Sequence, residues 1–303
     1  MNIDVIIATR GRADLARVLL DKLRRQARVP DNVIVVGTEP ADLPNGSPDQ
    51  GRSTTHELIS SRPGLTSQRN CGVEAAKKMS TPEAWRTKII AFFDDDFRPE
   101  EHWLQRCEAL FAENPEVVAI TGLVLLDGAR AGIAISEDEA ADAMARHVVG
   151  DQIYLSTWKR GLYGCNMAVR ASVFDTCAFD ENLPLYGWLE DTDFSGQIQK
   201  FADTHRASNL VGVHLSSKSA RMSGFKYGYS QICNPLYLRH KKTITFARAM
   251  YCCALALASN GVRCFREHPL IDYRGRLAGN LSAVRCIQPR LWPRTASSRA
   301  HDD

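Results

Sequence analysis

Residues 89–100, IIAFFDDDFRPE, run five apolar side chains straight into Asp94, Asp95 and Asp96. An apolar run of this length reads as a strand buried on both faces, the kind found in parallel sheets covered by helices. Three adjacent carboxylates repel one another, and the end of a buried strand is a costly place to hold them without positive charge. The chain is therefore constrained to an α/β arrangement in which this strand is interior and its acids emerge where a cation meets them. The plain alternative is an acidic turn ahead of a helix, since acids favour a helix N-terminus. One or two acids suit that alternative well; three directly after IIAFF suit it poorly.

The surrounding pattern agrees with an α/β chain. Residues 3–9 (IDVIIAT) predict a strand, 13–26 a helix with an apolar stripe at Leu15, Val18, Leu19 and Leu23, and 32–38 (NVIVVGT) a second strand. For such a strand–helix–strand unit a parallel pair with a right-handed crossover is expected. Residues 39–66 hold four Pro and three Gly among many Ser and Thr and read as a long surface loop. Helices are predicted at 67–79 and 100–114, and strands at 87–93 and 116–126, while 127–160 is mixed. Residues 161–174 suggest a short strand and a helix start, 186–201 place acids at the mouth of a helix, and 207–217 form a last strand that carries His214. From about 222 the pattern turns helical and basic. In open α/β sheets, ligands sit beyond the carboxyl ends of the strands. Thr9, Glu39, Asp94 to Asp96 and His214 all stand just after or at the ends of predicted strands, so one rim can gather them.

With 303 residues, 44% of them hydrophobic, the chain suffices for one large domain with an appendage or for two modest ones. A formal charge of +3, from 38 Lys and Arg against 35 Asp and Glu, gives no nucleic-acid footprint, so no nucleic-acid partner is expected. The nine Cys form no CxxC pair and no zinc spacing, and read as thiols in a reducing, cytoplasmic compartment. The opening MNIDVIIATR is too short and polar for a signal peptide. No stretch of 18 residues is uncharged and apolar. The nearest case, 243–262, is interrupted by Arg248 and predicts a buried or bundle helix, with an interfacial helix as the alternative.

Multiply acidic, oxygen-only sites suit hard divalent cations such as Mg²⁺ or Mn²⁺, which usually share their coordination with phosphate oxygens. The acids after IIAFF thus point to a metal–diphosphate site. Here a resemblance becomes specific. FFDDDF after an apolar strand resembles the DxD element of family 2 glycosyltransferases, which have the GT-A fold. VIIATRGR resembles that family's N-terminal nucleotide-binding strand and turn, and SQRNCGVEAA its helix beside the base. GCNMAVRASVF followed by FDENLPLYGWLEDTDF resembles its acceptor segment, and GVHLSSKSAR the late strand that brings a His to the metal. These segments occur in family order over about residues 3–221.

The resemblance implies a Rossmann-like, mostly parallel sheet flanked by helices, with a helical C-terminal extension. It implies metal contacts from Asp94, Asp96 and His214, with Asp95 at the ribose or donor sugar; the triple Asp leaves the frame of the motif open. Thr9, Arg10, Arg12, Glu39, Arg69 and Asn70 match nucleotide-sugar positions, although VVGTEP departs from the common double-Asp form around Glu39. Asp191 is implied as the base that deprotonates the acceptor hydroxyl, with Glu190 orienting the acceptor; capping of the following helix is the structural alternative. Trp188, Tyr186 and Asn166 fall in the acceptor segment, and Lys218 and Arg221 in a loop suited to closing on the diphosphate. The implied organisation is a GT-A domain at 1–221, a helical extension at 222–293 and a disordered tail at 294–303.

The implied activity is metal-dependent, inverting transfer of a sugar from a nucleoside-diphosphate sugar, UDP first, to a glycan or lipid-linked acceptor. Similar bacterial enzymes make surface polysaccharide, with basic tails that rest on the cytoplasmic face of the inner membrane, so a peripheral contact there is a further expectation. Two rivals stand beside it. A nucleotidyltransferase also holds metals with paired Asp but has no need of the WLED segment. A catalytically silent protein of the same fold would bind a nucleotide-sugar or scaffold an assembly without turnover.

Overall fold

The computed structural model describes residues 1–44, 53–60, 62–148, 154–183, 187–216, 223–266, 268 and 271–285. The chain divides into two compact units, Met1–Phe179 with Gln197–Ala220 and Asp180–Gly196 with Arg221–Asp303.

The first unit opens with β1 (Ile3–Ala8), α1 (Ala13–Arg24) and β2 (Asn32–Gly37). β1 and β2 pair in parallel, Val5 opposite Val33, as a strand–helix–strand unit requires. α1 buries Ala16, Leu19, Leu20 and Leu23, with Asp14 in its first turn and Lys22 and Arg24 in its last, in keeping with the helix dipole. The buried face is therefore rotated from the predicted stripe: Val18 is exposed, and Leu20 takes its place in the core.

The stretch read as a long surface loop contains a strand, β3 (Thr54–Ile59), parallel to β2 at the end of the sheet. An edge strand held by backbone bonds to one neighbour tolerates the polar sequence TTHELI, which has no apolar run to betray it. α2 (Leu65–Lys78) and α3 (Pro82–Thr87) lead into β4 (Ile89–Asp94), the interior strand expected from IIAFFD, which pairs with β1 in parallel. Then follow β5 (Phe97–Pro99), α4 (Trp103–Glu113), β6 (Ala119–Asp127), α5 (Gly128–Ala131), α6 (Glu137–Arg146), β7 (Leu155–Thr157), β8 (Asn166–Arg170) and, after α7 (Glu190–Ile198), β9 (His205–His214). Residues 171–175 form a 3₁₀ turn where a helix start was expected. α6 begins with a capping box between Ser136 and Glu139.

The sheet runs β3-β2-β1-β4-β8-β6-β9-β5, with β7 also on β9. β5, β7 and β8 oppose the direction shared by the other six strands, so the sheet is mostly parallel. One core lies between Ile3, Val5 and Ile7 of β1, the apolar face of α1, and Trp103, Leu104 and Phe111 of α4. This is the α/β class expected, and the helical C-terminal part is present as well.

The second unit contains most of α7 together with α8 (Gly224–His240), α9 (Phe246–Arg263) and α10 (Tyr273–Arg285). It contains an ionic knot around the buried Asp193. Lys241 Nζ lies 2.6 Å from Asp193 and 2.7 Å from Asp180, Thr243 Oγ1 donates to Asp193 at 2.7 Å, and Tyr237 donates to Asp180 at 2.8 Å. Among the described residues no helix is long and apolar enough to cross a membrane.

Candidate functional site

β1, β2, β4, β6 and β9 all point the same way, so their carboxyl ends share one edge of the first unit. Asp94 closes β4, Asp127 closes β6 and His214 closes β9. One ligand atom each from Asp94, Asp96 and His214 lies within 4.8 Å of the others. His214 Nε2 is 3.2 Å from Asp96 Oδ1 and 3.9 Å from Asp94 Oδ2. The three predicted metal residues are thus brought together, from a strand end, a tight turn and a strand end more than a hundred residues away.

Positive charge meets these acids from two sides. Arg12, in the turn after β1, places Nη1 3.1 Å from Asp96 and Nη2 2.8 Å from Asp95. Arg69 of α2 lies 3.0 Å from Asp94 and also donates to the Gly164 carbonyl at 3.0 Å, while its guanidinium stacks 5.3 Å from the Phe179 ring. Asp95 is fully buried. Burial pushes its carboxyl up to about 7, against the pull of Arg12 and with the help of Asp96.

His214 is held from behind. Its Nδ1 lies 3.3 Å from Asp127 Oδ1, and Asp127 Oδ2 accepts from the Tyr163 hydroxyl at 2.8 Å. Burial opposes a charged imidazole, yet the Cys165 thiol and hydrogen bonds with Asp127 and Asp96 carry its pKa well above the usual histidine range. Burial likewise opposes a charged Asp127, but its hydrogen bond to His214 and the charge there hold it below the usual carboxylate range. Burial raises the Cys165 thiol to about 11.

The other predicted residues are placed as follows. Thr9 is buried directly after β1, its carbonyl accepting from Gln68 Nε2 at 2.8 Å. Arg10 is exposed, and Glu39 is exposed just past β2. Asn70 bonds the backbone of Phe179 twice, at 2.8 and 3.0 Å. Asn166 is fully buried in β8, its amide oxygen accepting from Trp103 Nε1 at 2.9 Å. In the second unit, Glu190 and Asp191 form the first turn of α7, after Gly187 and Leu189, both in the left-handed region at φ +76° and +74°. Asp191 Oδ1 accepts from the Thr192 N–H at 2.6 Å. The Trp188 carbonyl accepts from Asn234 at 2.7 Å, and its ring lies 5.9 Å from Tyr227. Tyr186, Lys218, Arg221 and the tail at 294–303 lie outside the described residues.

Sequence reading passed over Asp127, Tyr163 and Asp42. A single acid after VLL is too common to stand out, and Tyr163 has no motif of its own. Asp42 had a readable signal, a carboxylate four residues after Thr38 in a Pro-initiated turn, and it receives four hydrogen bonds there.

As a donor set, two carboxylates and an imidazole around one point suit a divalent cation. Asp94, Asp96 and His214 therefore fit the metal that the acidic motif suggested.

No protein-family model and no curated protein matches the sequence. Solved structures do. A mannosyltransferase from Pyrobaculum calidifontis, in complex with GDP-Man and Mn²⁺, superimposes with a TM-score of 0.51 at 14% identity, covering 93% of this chain and 85% of that one. TarS of S. aureus, residues 1–349, gives a TM-score of 0.49 at 14% identity, covering 88% of this chain and 72% of that one. Against the longer TarS structure the score is 0.47 at 16% identity, with 88% of this chain and 44% of that one covered. At these identities the likeness to the mannosyltransferase is one of fold: this chain has the α/β fold of that structure.

Proposed function

We propose that the protein is a metal-dependent glycosyltransferase of the family 2, GT-A type. It moves a sugar from a nucleoside-diphosphate sugar to a hydroxyl of a glycan or lipid-linked acceptor, with inversion, in the synthesis of a surface polysaccharide or glycoconjugate. The observation that carries this reading is the convergence of Asp94, Asp96 and His214 beneath Arg12 and Arg69 at the carboxyl edge of the sheet. Such an edge is where open α/β sheets bind nucleotides.

The donor set bears on the metal. Mg²⁺ favours octahedral oxygen coordination, whereas a site that includes an imidazole favours Mn²⁺ of the two. The mannosyltransferase of the same fold was solved with GDP-Man and Mn²⁺, which supports the same donor class here. UDP is put first because UDP-sugars are the commonest donors of the family that the sequence resembles.

When bound, the metal supplies charge to offset the diphosphate as it leaves. Arg10 and Arg12 offer planar, bidentate donors to phosphate oxygens. Asp95 is assigned to the ribose or donor sugar, with Thr9, Glu39, Arg69 and Asn70 around the nucleotide. Asp191 takes the proton of the acceptor hydroxyl while that oxygen bonds to the anomeric carbon. The bond to the diphosphate oxygen breaks, and its electron pair departs with the nucleoside diphosphate. A single displacement of this kind inverts the anomeric centre. Glu190 is assigned to orienting the acceptor, with Trp188 and Tyr186 at its site, and Lys218 and Arg221 to the diphosphate; Asn166, fully buried and bonded to Trp103, would support the acceptor segment from within rather than touch the acceptor.

The helical part, 222–293, is assigned to an anionic membrane surface where a lipid-linked acceptor resides. α9 supports this with an exposed apolar stripe of Tyr251, Leu255 and Val262, continued by Phe265. These positions recur every three, four or seven residues and so share one side, while Ala249, Cys253 and Ala256 are buried on the other.

The test of turnover uses UDP-, GDP- and dTDP-sugars with Mn²⁺, with products followed by ³¹P and ¹H NMR. The expected result is release of a nucleoside diphosphate from one donor, reduced about 10²–10⁴-fold in Asp191→Asn while diphosphate binding is kept. In a parallel assay with a nucleoside triphosphate and a sugar 1-phosphate, formation of the NDP-sugar with release of pyrophosphate would transfer the assignment to a nucleotidyltransferase. Donor binding without turnover in the wild type would leave a silent binding or scaffold protein.

A further inference from the structure

Asp127 has no part in the proposed reaction, yet its placement is tightly determined. It ends β6 directly opposite His214 in the register of β9. The next residue, Gly128, lets the two strand ends close: a Cβ there would lie 2.5 Å from the Leu215 carbonyl oxygen and 2.6 Å from that of Ile133. Asp127 is fixed in turn from three directions. The Tyr163 hydroxyl donates to Oδ2 at 2.8 Å, the Arg130 guanidinium lies 3.2 Å from the same oxygen, and the Arg130 backbone N–H donates to Oδ1 at 3.2 Å. Arg130 also covers the Tyr163 ring at 4.5 Å.

A neutral imidazole carries its proton on only one nitrogen. With a cation held by Asp94 and Asp96, that hydrogen would sit on Nδ1, where Asp127 Oδ1 at 3.3 Å accepts it. Nε2, 3.2 and 3.9 Å from Asp96 and Asp94, would then turn its lone pair toward the cation. The Tyr163 hydroxyl, 3.4 Å from Nδ1, gives its one hydrogen to the same carboxylate and so offers Nδ1 no competing donor.

We propose that Asp127, braced by Tyr163, is the positioning residue of the metal site: it fixes the tautomer and aim of His214 so that Nε2 serves as the nitrogen ligand beside Asp94 and Asp96. The inference rests on the metal reading of those three residues. A carboxylate behind a ligating histidine orients the ring and raises its basicity, and its loss costs about 10–100-fold in metal affinity.

The experiment titrates Mn²⁺ alone into the full chain, with free Mn²⁺ read by EPR, for wild type, Asp127→Asn and Tyr163→Phe. Asp127→Asn is expected to bind Mn²⁺ about 10–100-fold more weakly, and Tyr163→Phe a few-fold more weakly. ¹⁵N NMR of the histidines with diamagnetic Zn²⁺ in place of Mn²⁺ is expected to show His214 with hydrogen on Nδ1 in the wild type and to lose that signature in Asp127→Asn. This readout separates positioning from a general loss of stability. Wild-type binding with Asp127→Asn within twofold of it would overturn the role of Asp127 and leave the metal site standing. Absence of Mn²⁺ binding in the folded wild type would overturn the metal site itself. Should Asp127→Asn not fold, Tyr163→Phe and the tautomer of the Zn²⁺-loaded wild type decide: an unchanged affinity together with hydrogen on Nε2 overturns the inference.

Discussion

Asp42 shows how much of the site depends on residues that touch no substrate. Its carboxylate receives the Gly11 N–H at 2.6 Å, the Thr38 N–H and hydroxyl both at 2.7 Å, and the Glu39 N–H at 3.1 Å. It thereby ties the turn carrying Arg10 and Arg12 to the end of β2. Burial works against its charge, but the bond from the Thr38 hydroxyl and those from the three N–H groups outweigh burial and hold its pKa below the usual carboxylate value. A carboxylate whose folded pKa is depressed adds stability above its unfolded pKa, and that stability is lost as pH falls through the folded pKa. Asp42→Asn is expected to cost about 2–3 kcal/mol at pH 7, because an amide nitrogen would face buried donors. Urea melts from pH 7 to pH 3 should show the gap to wild type narrowing toward the acid end; a gap independent of pH would contradict the charge-based account. At this scale the sequence announced the acidic cluster whose Asp94 and Asp96 gather with His214, since three acids after IIAFF have few structural uses. Asp127 and Tyr163 stayed hidden because each is an ordinary residue until the ends of β6 and β9 are known to meet.

The elements were legible wherever burial writes a pattern. β1, β2 and β4 are apolar runs and stand where they were expected. β3 was missed because an edge strand needs no apolar face, and α1 was rotated because Val18 and Leu20 are equally apolar and only packing decides between them. α2 carries Arg69 to Asp94 by lying close on the sheet, and Gly72 sets that distance: a Cβ there would come within 2.7 Å of Ile6 Cγ2. Gly72→Ala is therefore expected to cost about 1–3 kcal/mol through overpacking. It should also weaken nucleotide binding by shifting Arg69, one turn away. A thermal melt and a diphosphate titration check both effects; an unchanged melt would show that Ile6 yields freely.

At the scale of the molecule, charge and apolar surface are segregated in a way that the overall balance of +3 conceals. Residues 223–285 hold 10 of the 38 Lys and Arg but only 2 of the 35 Asp and Glu. The same stretch exposes Tyr251, Leu255, Val262 and Phe265, the last at 84%. Basic charge beside an apolar stripe suits the surface of an anionic bilayer. Sedimentation with vesicles of anionic phospholipid is expected to carry the protein down at low salt, to fail with neutral vesicles, and to weaken markedly in Leu255→Ser with Val262→Ser. Equal binding to both vesicle types, or to neither, would contradict the assignment.

Everything proposed for the reaction depends on Asp94 and Asp96, with His214, holding a divalent cation for a nucleoside diphosphate. The most direct measurement is the melting temperature with UDP, GDP, dTDP and CMP, each with and without Mn²⁺, for wild type and Asp96→Asn. A ligand that binds only the folded state at about 100 times its Kd adds about 2.7 kcal/mol, or roughly 4 °C for a chain of this size. A shift of that order is expected for one diphosphate, present only with Mn²⁺ and lost in Asp96→Asn. No shift of the folded wild type with any nucleotide, or a shift that survives in Asp96→Asn, would contradict it.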